Sequence, residues 1–307
     1  MYRKIDAHLH LSFEHLKGLL VTMDQNHIDY SVNLQRRGEG PAEKLIVETR
    51  RIAGDRIATF SRLYYDRMDE PGYMRALVER FEREVASGAK GLKVGKDLGL
   101  AAKYTNGDWV RVDDERLDPM WDTAARLGVP VLMHVADPIP AWKPLSPGDP
   151  LYDFYTKEHP DWYRGNGKYL PRLEILAQRE RVLARHPKTI FVNAHWGCYP
   201  EDLDHLVRLF DTYPNFYADT EPAKIRIVPP GRVHTSHRDV LVKYADRTLY
   251  GTDISYPYGK PVDNAWDGDL YRRHCAWFET DADGGMALPD HVLRSIYYET
   301  AKRVYGF

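Results

Sequence analysis

The feature that most constrains the fold of this chain is a regular alternation of short apolar runs with longer amphipathic stretches. Eight runs rich in apolar or β-branched residues are candidate strands, at 4–10, 28–35, 56–63, 89–96, 129–135, 189–195, 215–219 and 247–253. Helical spacing follows each of them, at 13–25, 42–53, 73–87, 114–127, 170–185, 201–213, 238–244 and 289–305. This alternation implies a parallel sheet. Eight uninterrupted strands favour a closed (β/α)₈ TIM barrel over an open doubly wound sheet, and 307 residues fit one barrel domain spanning 1–307.

Two of the predicted connections are unusually long. Residues 136–167 follow the fifth strand and residues 254–287 follow the eighth. Both leave the barrel at the C-terminal ends of strands, where the active sites of this fold lie. Long ordered loops commonly act as lids or as contact surfaces between subunits, and the sequence leaves both interpretations open.

The composition excludes several classes of partner. Lys and Arg number 43 against 45 Asp and Glu, so the formal net charge is −2, which gives no reason to expect nucleic acid or an anionic membrane surface. No apolar run approaches the ~20 residues of a membrane helix, and the N-terminus lacks the apolar region of a signal peptide. Cys198 and Cys275 match no metal-finger spacing. We therefore expect a cytoplasmic protein with reduced thiols.

Polar residues close four of the apolar runs at their C-terminal ends. His8 and His10 are two residues apart and point to the same face of the first strand, so their imidazoles can share a cation such as Zn²⁺. The fifth run ends at His134, the sixth at His195 and the eighth at Asp253. An unpaired buried His or Asp is costly, so burial alone does not explain four such strand ends. They favour a metal or catalytic site over purely structural histidines.

The motifs DAHLHL, VLMHVADP, NAHWG and YGTDISYP resemble those of the amidohydrolase superfamily, specifically its amidohydrolase-related branch. That branch also contains enzymes similar to aminocarboxymuconate-semialdehyde decarboxylase, and the resemblance covers essentially the whole chain. It implies that His8, His10, His134 and Asp253 are metal ligands. It also implies that Asp253 exchanges a proton with the metal's water and that His195 is a catalytic or substrate-polarising residue. We expect one divalent ion, Zn²⁺ by default with Mn²⁺ tolerated, and a homodimer is a candidate assembly.

Two further residues have competing interpretations. In binuclear members of the superfamily a carbamylated lysine of the fourth strand bridges two metals, which makes Lys93 a candidate second-metal bridge. Lys96 is a rival for that position, and a lysine held in an ion pair or hydrogen bond within the barrel is the favoured alternative. Asp219 ends the seventh strand and could orient a ligand histidine, although capping of the following turn is favoured.

The substrate-binding residues are predicted from position alone. Arg62 ends the third strand and Arg36 follows the second, so either could pair with a substrate carboxylate in a bidentate fork. Trp142 is a candidate for an aromatic wall over the metal. A surface salt bridge or loop packing is the competing interpretation for each. Rivals for these roles are Arg164, Arg226, Arg232, Tyr155, Trp162 and Tyr163.

These residues favour a hydrolase of a small-molecule amide, ester or lactone that uses a metal-activated water. The alternative is a metal-dependent, non-oxidative decarboxylase (a lyase) of an aromatic or unsaturated carboxylic acid. Arginines converging on the metal would favour decarboxylation, and an arginine-poor pocket with oxyanion donors would favour hydrolysis. A catalytically silent metal-binding barrel would lack a ligand or a base, and none is missing from the sequence.

Overall fold

The computed structural model describes residues 1–11, 13–36, 38–137, 139–149, 151–220, 235–256, 264–282 and 285–307. Short parallel strands form its centre: β1 Lys4–Leu11, β2 Ile28–Leu34, β3 Ile57–Arg62, β4 Leu92–Val94, β5 Val131–Met133, β6 Phe191–Asn193, β7 Phe216–Asp219, β8 Thr248–Leu249 and β9 Ile254–Tyr256. Each strand from β1 to β7 pairs with the next along the chain, and β9 pairs with β1.

The last two strands together complete the barrel. β8 pairs with β7 and β9 pairs with β1, so these short segments are two halves of the eighth barrel strand. Between the halves, the amide of Ala7 donates to the Tyr250 carbonyl and the amide of Asp253 donates to the His8 carbonyl. The (β/α)₈ prediction is confirmed. The interruption leaves Asp253 in the left-handed region, with φ of 49°.

Helices connect the strands as the alternation predicts. They are α1 Leu16–Gln25, α2 Ala42–Ala53, α3 Tyr73–Ala86, α4 Asp118–Leu127, α5 Arg172–Arg185, α6 Leu203–Thr212, α7 Thr235–Lys243 and α8 Asn264–Glu279. The chain ends in Asp290–Arg294, a π turn at Ser295–Glu299, and Thr300–Tyr305. Helix α4 illustrates the local rules, because a proline occupies its first turn and Gly128 ends it in a left-handed conformation.

Helix α8 lies within the stretch 254–287, for which the sequence pattern predicts a loop. Its fully buried residues Tyr271, His274 and Phe278 have helical spacing. A histidine in the buried stripe and Gly268 inside the helix obscure this pattern in the sequence. The long connection after the eighth strand is therefore largely helical.

The barrel interior is packed with inward-facing side chains and closed by the end of the chain. Tyr305 from the last helical segment makes an edge-to-face contact with Phe60, with ring centroids 5.3 Å apart. The residues of this inner cluster include Ile5, Ala7, Val32, Leu34, Phe60, Leu132, Val192 and Leu249. None of the helices in the part of the chain described is long and apolar enough to span a bilayer.

Candidate active site

A register shift in β1 directs the first two histidines into the barrel. Pairing with β2 is irregular between Asp6 and Leu9. Ala7 packs in the inner cluster, whereas Leu9 packs in the outer cluster beneath the helices. Such bulges commonly re-aim side chains beside active sites. Beyond the shift, His8 and His10 lie on the inner face, as the spacing predicts.

Hydrogen bonds fix the ring orientation of both histidines. Nδ1 of His8 lies 2.7 Å from Oδ2 of Asp219, and Nδ1 of His10 lies 2.6 Å from the Leu34 carbonyl oxygen. Because both partners are acceptors, each Nδ1 carries a proton, and in the neutral imidazole each Nε2 then presents a lone pair. The Nε2 atoms lie 3.2 Å (His8) and 3.1 Å (His10) from the same atom, Oδ1 of Asp253. Three acceptor atoms therefore face one another.

This arrangement attracts positive charge. Burial disfavours a charged His8, but the charges of Asp253 and Asp219 outweigh burial and raise its pKa to about 9. Burial lowers the pKa of neighbouring His10 to about 4. Burial also acts to raise the pKa of Asp253, but the two histidines hold it well below its ordinary value.

The ligand atoms of three residues fit a divalent metal, and we call these residues, His8, His10 and Asp253, the donor group. One ligand atom each from His8, His10 and Asp253 lies within 4.8 Å of the other two. Nε2 of His8 is buried and has no hydrogen-bond partner among the residues that the structure describes. Two imidazoles and a carboxylate are the ligand types that zinc accepts, and other first-row metals tolerate them.

The two other predicted histidines lie beside this group. His195 Nε2 is 3.9 Å from Oδ2 of Asp253, so the carboxylate faces the donor group with one oxygen and His195 with the other. His134 Nδ1 is 3.2 Å from His195 Nε2, and its Nε2 is 3.3 Å from Oδ1 of Asp137. Within the described ranges the three-member group does not include His134, so its role as a ligand stays a prediction.

A left-handed turn carries His195. Four successive residues after β6, which we call the His195 turn, have positive φ: His195 54°, Trp196 56°, Gly197 70° and Cys198 56°. For a non-glycine residue this conformation costs roughly 1–2 kcal/mol. The Cys198 amide closes the turn by donating to the Ala194 carbonyl at 3.0 Å. Backbone strain of this kind clusters at functional sites.

Asp219 joins the donor group to the His195 turn. It is fully buried, and its Oδ2 accepts from His8 Nδ1 while its Oδ1 accepts from the His195 amide at 2.8 Å. The structure therefore favours the alternative in which Asp219 orients a ligand histidine. The turn that it was expected to cap begins at 221, outside the described residues.

Comparisons with known proteins place the chain in a family. The family model described as amidohydrolase matches residues 5–307. The chain belongs to the amidohydrolase family. Among curated proteins, none matches it.

Solved structures share the fold of this chain at low identity. A dihydroxybenzoic acid decarboxylase from Polaromonas sp. JS666, with bound manganese and the inhibitor 2-nitroresorcinol, is 14% identical with a TM-score of 0.60, covering 100% of this chain and 97% of that chain. A probable 2-pyrone-4,6-dicarboxylic acid hydrolase from Acinetobacter baumannii, with citric acid bound, is 13% identical with a TM-score of 0.56 (99% and 100%). A 4-oxalomesaconate hydratase from Rhodopseudomonas palustris is 15% identical with a TM-score of 0.58 (99% and 95%). The family is metal-dependent and its fold hosts several reactions.

Lys93 lies in the interior of the amidohydrolase barrel. Its neighbours Leu92 and Val94 pack in the outer cluster, so alternation along β4 points Lys93 inward. The residue is 2% exposed, and within the described ranges its Nζ makes no hydrogen bond. The predicted hydrogen bond or ion pair is thus not seen there. Burial lowers the pKa of Lys93 to about 8, opposed by the charges of Asp253 and Asp219.

The two arginines predicted to bind substrate contact protein acceptors. Arg36 Nη2 donates to the His10 carbonyl at 3.3 Å. Arg62 donates to the Gln35 carbonyl at 3.0 Å and to Oδ2 of Asp97 at 3.1 Å. Arg36 and Arg62 therefore reach the rim on the side of β2 and β3. Arg226 and Arg232 lie outside the described residues.

Asp137 organises the loop after β5, a role that the sequence analysis missed although Asp137 belongs to VLMHVADP. Its carboxylate accepts from Arg164 Nε at 3.0 Å and from Lys96 Nζ at 3.3 Å, and its carbonyl accepts from Trp142 Nε1 at 3.1 Å. Lys96 Nζ also lies 4.2 Å from the ring centre of Trp162. Lys96, the rival bridge, is thus ion-paired, and Trp142 packs the loop onto the barrel.

Proposed function

We propose that this chain is a metal-dependent hydrolase of a small-molecule amide, ester or lactone. The observation that carries the proposal is the position of Asp253. One of its oxygens meets the lone pairs of His8 and His10, and the other lies 3.9 Å from His195. A carboxylate placed between a metal position and an imidazole can take a proton from water and return it to a leaving group.

His8, His10 and Asp253 are the proposed metal ligands, and His134 is the further ligand that the family resemblance implies. Zn²⁺ and Mn²⁺ both suit these donors, and the decarboxylase from Polaromonas holds manganese. A metal held there supplies Lewis acidity, which lowers the pKa of water towards ~7 and polarises a carbonyl.

The other side chains have roles that follow from their positions. Oδ2 of Asp253 is the proposed proton acceptor, because Oδ1 faces the ligand histidines. His195 polarises the substrate carbonyl, since its ring lies beside that carboxylate. Asp219 holds both His8 and the His195 turn in place.

The buried ammonium of Lys93 has two candidate roles in this proposal. As an ammonium it offsets the charges of Asp253 and Asp219, which act on its pKa. As a carbamate it would bridge a second metal, the role that the superfamily resemblance implies. The number of metals per chain distinguishes the two.

Decarboxylation of an aromatic or unsaturated acid is the second candidate function. Arg36 favours it, because its guanidinium bonds the carbonyl of His10, a proposed metal ligand, and a substrate carboxylate at the metal would need such a partner. Arg62 donates to the carbonyl of Gln35, the residue next to Arg36. Asp253 or His195 would then protonate carbon. We favour hydrolysis because Arg62 is already paired with Asp97 and Arg36 is bonded to a backbone carbonyl.

The first prediction separates the two functions. We expect the Zn²⁺- or Mn²⁺-loaded chain to release protons from lactones and esters in weakly buffered solution, or to release free amine from amides. Chelation should abolish this activity and metal addition should restore it. A parallel panel of dihydroxybenzoates and unsaturated acids is assayed for CO₂ release. If CO₂ is released and no carbonyl compound is hydrolysed, the chain is the alternative lyase, and Arg62→Gln should then raise KM for the acid.

A further inference from the structure

We propose that Arg179 is a positioning residue that, with Arg172, holds the His195 turn so that His195 faces Asp253. The proposal rests on the proposed function of His195. Neither arginine belongs to the donor group or lies in a motif that the sequence analysis singled out.

Both arginines come from α5 and bind consecutive carbonyls of the His195 turn. Arg179 Nη1 donates to the Gly197 carbonyl, and Arg172 Nη2 donates to the Cys198 carbonyl. The arginines are seven residues apart, about two helical turns, so they lie on the same face of α5. Arg172 Nε also donates to the Asp137 carbonyl at 3.0 Å. One helix face thus ties the loops after β5 and β6 together.

The guanidinium of Arg179 packs closely against Gly197 of the turn. A Cβ placed on Gly197 would lie 3.0 Å from Arg179 Nη1 and 3.3 Å from Cζ of Phe216. The guanidinium carbon also lies 5.8 Å from the ring centre of Phe216. The positive φ and this close approach both favour glycine at position 197.

Burial of Arg179 is difficult to explain by stability alone. The side chain is fully buried, and its Nε and Nη2 have no hydrogen-bond partner among the residues described. Its nearest carboxylate oxygen, Oε1 of Glu180, is 3.9 Å from Nη2. A buried charge with so few partners is costly, and an apolar side chain would fill the same volume at lower cost. The hydrogen bond to the Gly197 carbonyl is the contact that an apolar side chain could not make.

Loss of that bond should release the turn. Gly197 would keep a buried carbonyl without its donor, and three non-glycine residues would remain in an unfavourable conformation. Relaxation of the turn would move the His195 ring from its place 3.9 Å from Oδ2 of Asp253. Displacements of about 1 Å can cost about 100-fold in rate. Substrate binding at the metal depends less on this ring.

The second prediction is that Arg179→Met lowers kcat by about 10- to 100-fold with little change in KM or metal content. Amide hydrogen exchange should become faster in the peptide that contains Cys198, whose N–H bonds Ala194, but not in β6. Arg181→Met is the matched control, because Arg181 lies on the same helix, is 46% exposed in its side chain and pairs with Asp113. The Arg181→Met variant should have wild-type kcat and wild-type amide hydrogen exchange.

A second variant keeps the test decisive if the Met variant fails to fold. Arg179→Lys retains a charge and one donor, so its kcat should lie between those of wild type and the Met variant. If the variant that folds shows wild-type amide hydrogen exchange and wild-type kcat, the proposal is overturned. Faster exchange with an unchanged kcat would also overturn it. A wild-type chain that binds no metal and hydrolyses nothing would instead count against the proposed function.

Discussion

Replacing Asp253 by Asn is expected to lower kcat by about 10³-fold in the metal-loaded chain. The amide can still offer Oδ1 to a metal, but it cannot accept a proton. Three histidines surround this carboxylate: His8 and His10 face Oδ1, and His195 lies beside Oδ2. Its depressed pKa keeps it ionised at neutral pH. The loss should therefore appear in turnover more than in KM.

The control for this experiment removes the same charge from the surface. Asp239 has a side chain that is 88% exposed and lies 3.9 Å from Arg238. Asp239→Asn should retain wild-type kcat and metal content. An Asp253→Asn enzyme that keeps its metal and turns over within about threefold of wild type would exclude Asp253 as the proton acceptor.

Replacing Asp219 by Ala is expected to weaken metal affinity by about 10- to 100-fold. The substitution leaves His8 Nδ1 and the His195 amide without their shared acceptor in a fully buried place. His8 then loses the bond that fixes its tautomer and ring orientation. Each buried donor left unpaired also costs about 1–3 kcal/mol, so the metal-free chain should melt at a lower temperature.

A chelator competition titration measures this affinity, and thermal unfolding of the metal-free chain measures the stability cost. Asp55→Ala is the control, since that side chain is 86% exposed and pairs only loosely with Arg50, at 3.3 Å. Unchanged metal affinity in Asp219→Ala would show that the orientation of His8 does not depend on this carboxylate.

The sequence predicts the barrel and the placement of the site's histidines and aspartate because both follow from periodicity. Alternation of strands and helices specifies the fold, and polar residues that end apolar runs place His8, His10, His195 and Asp253 at one mouth. The predicted family is confirmed as well. The sequence cannot separate hydrolysis from decarboxylation, since both use the same metal, proton acceptor and histidine.

Features that depend on tertiary contacts cannot be predicted from the sequence. The left-handed His195 turn involves three non-glycine residues, and Gly197 is its only local sequence signal. Arg172 and Arg179 read as ordinary helix residues, because their partners lie on a loop distant in sequence. Asp137 is visible in a motif, but its convergence with Arg164 and Lys96 depends on how the long loop folds back.

Metal content per folded chain is the decisive measurement for the proposed metal site. Wild type is compared by elemental analysis with the His8→Ala, His10→Ala double variant after expression with Zn²⁺ and Mn²⁺. We expect about one divalent metal per wild-type chain, as the one group of converging donors among the described residues implies, and almost none in the double variant. A folded wild-type chain without metal, or a double variant that retains it, would show that His8 and His10 do not hold a metal.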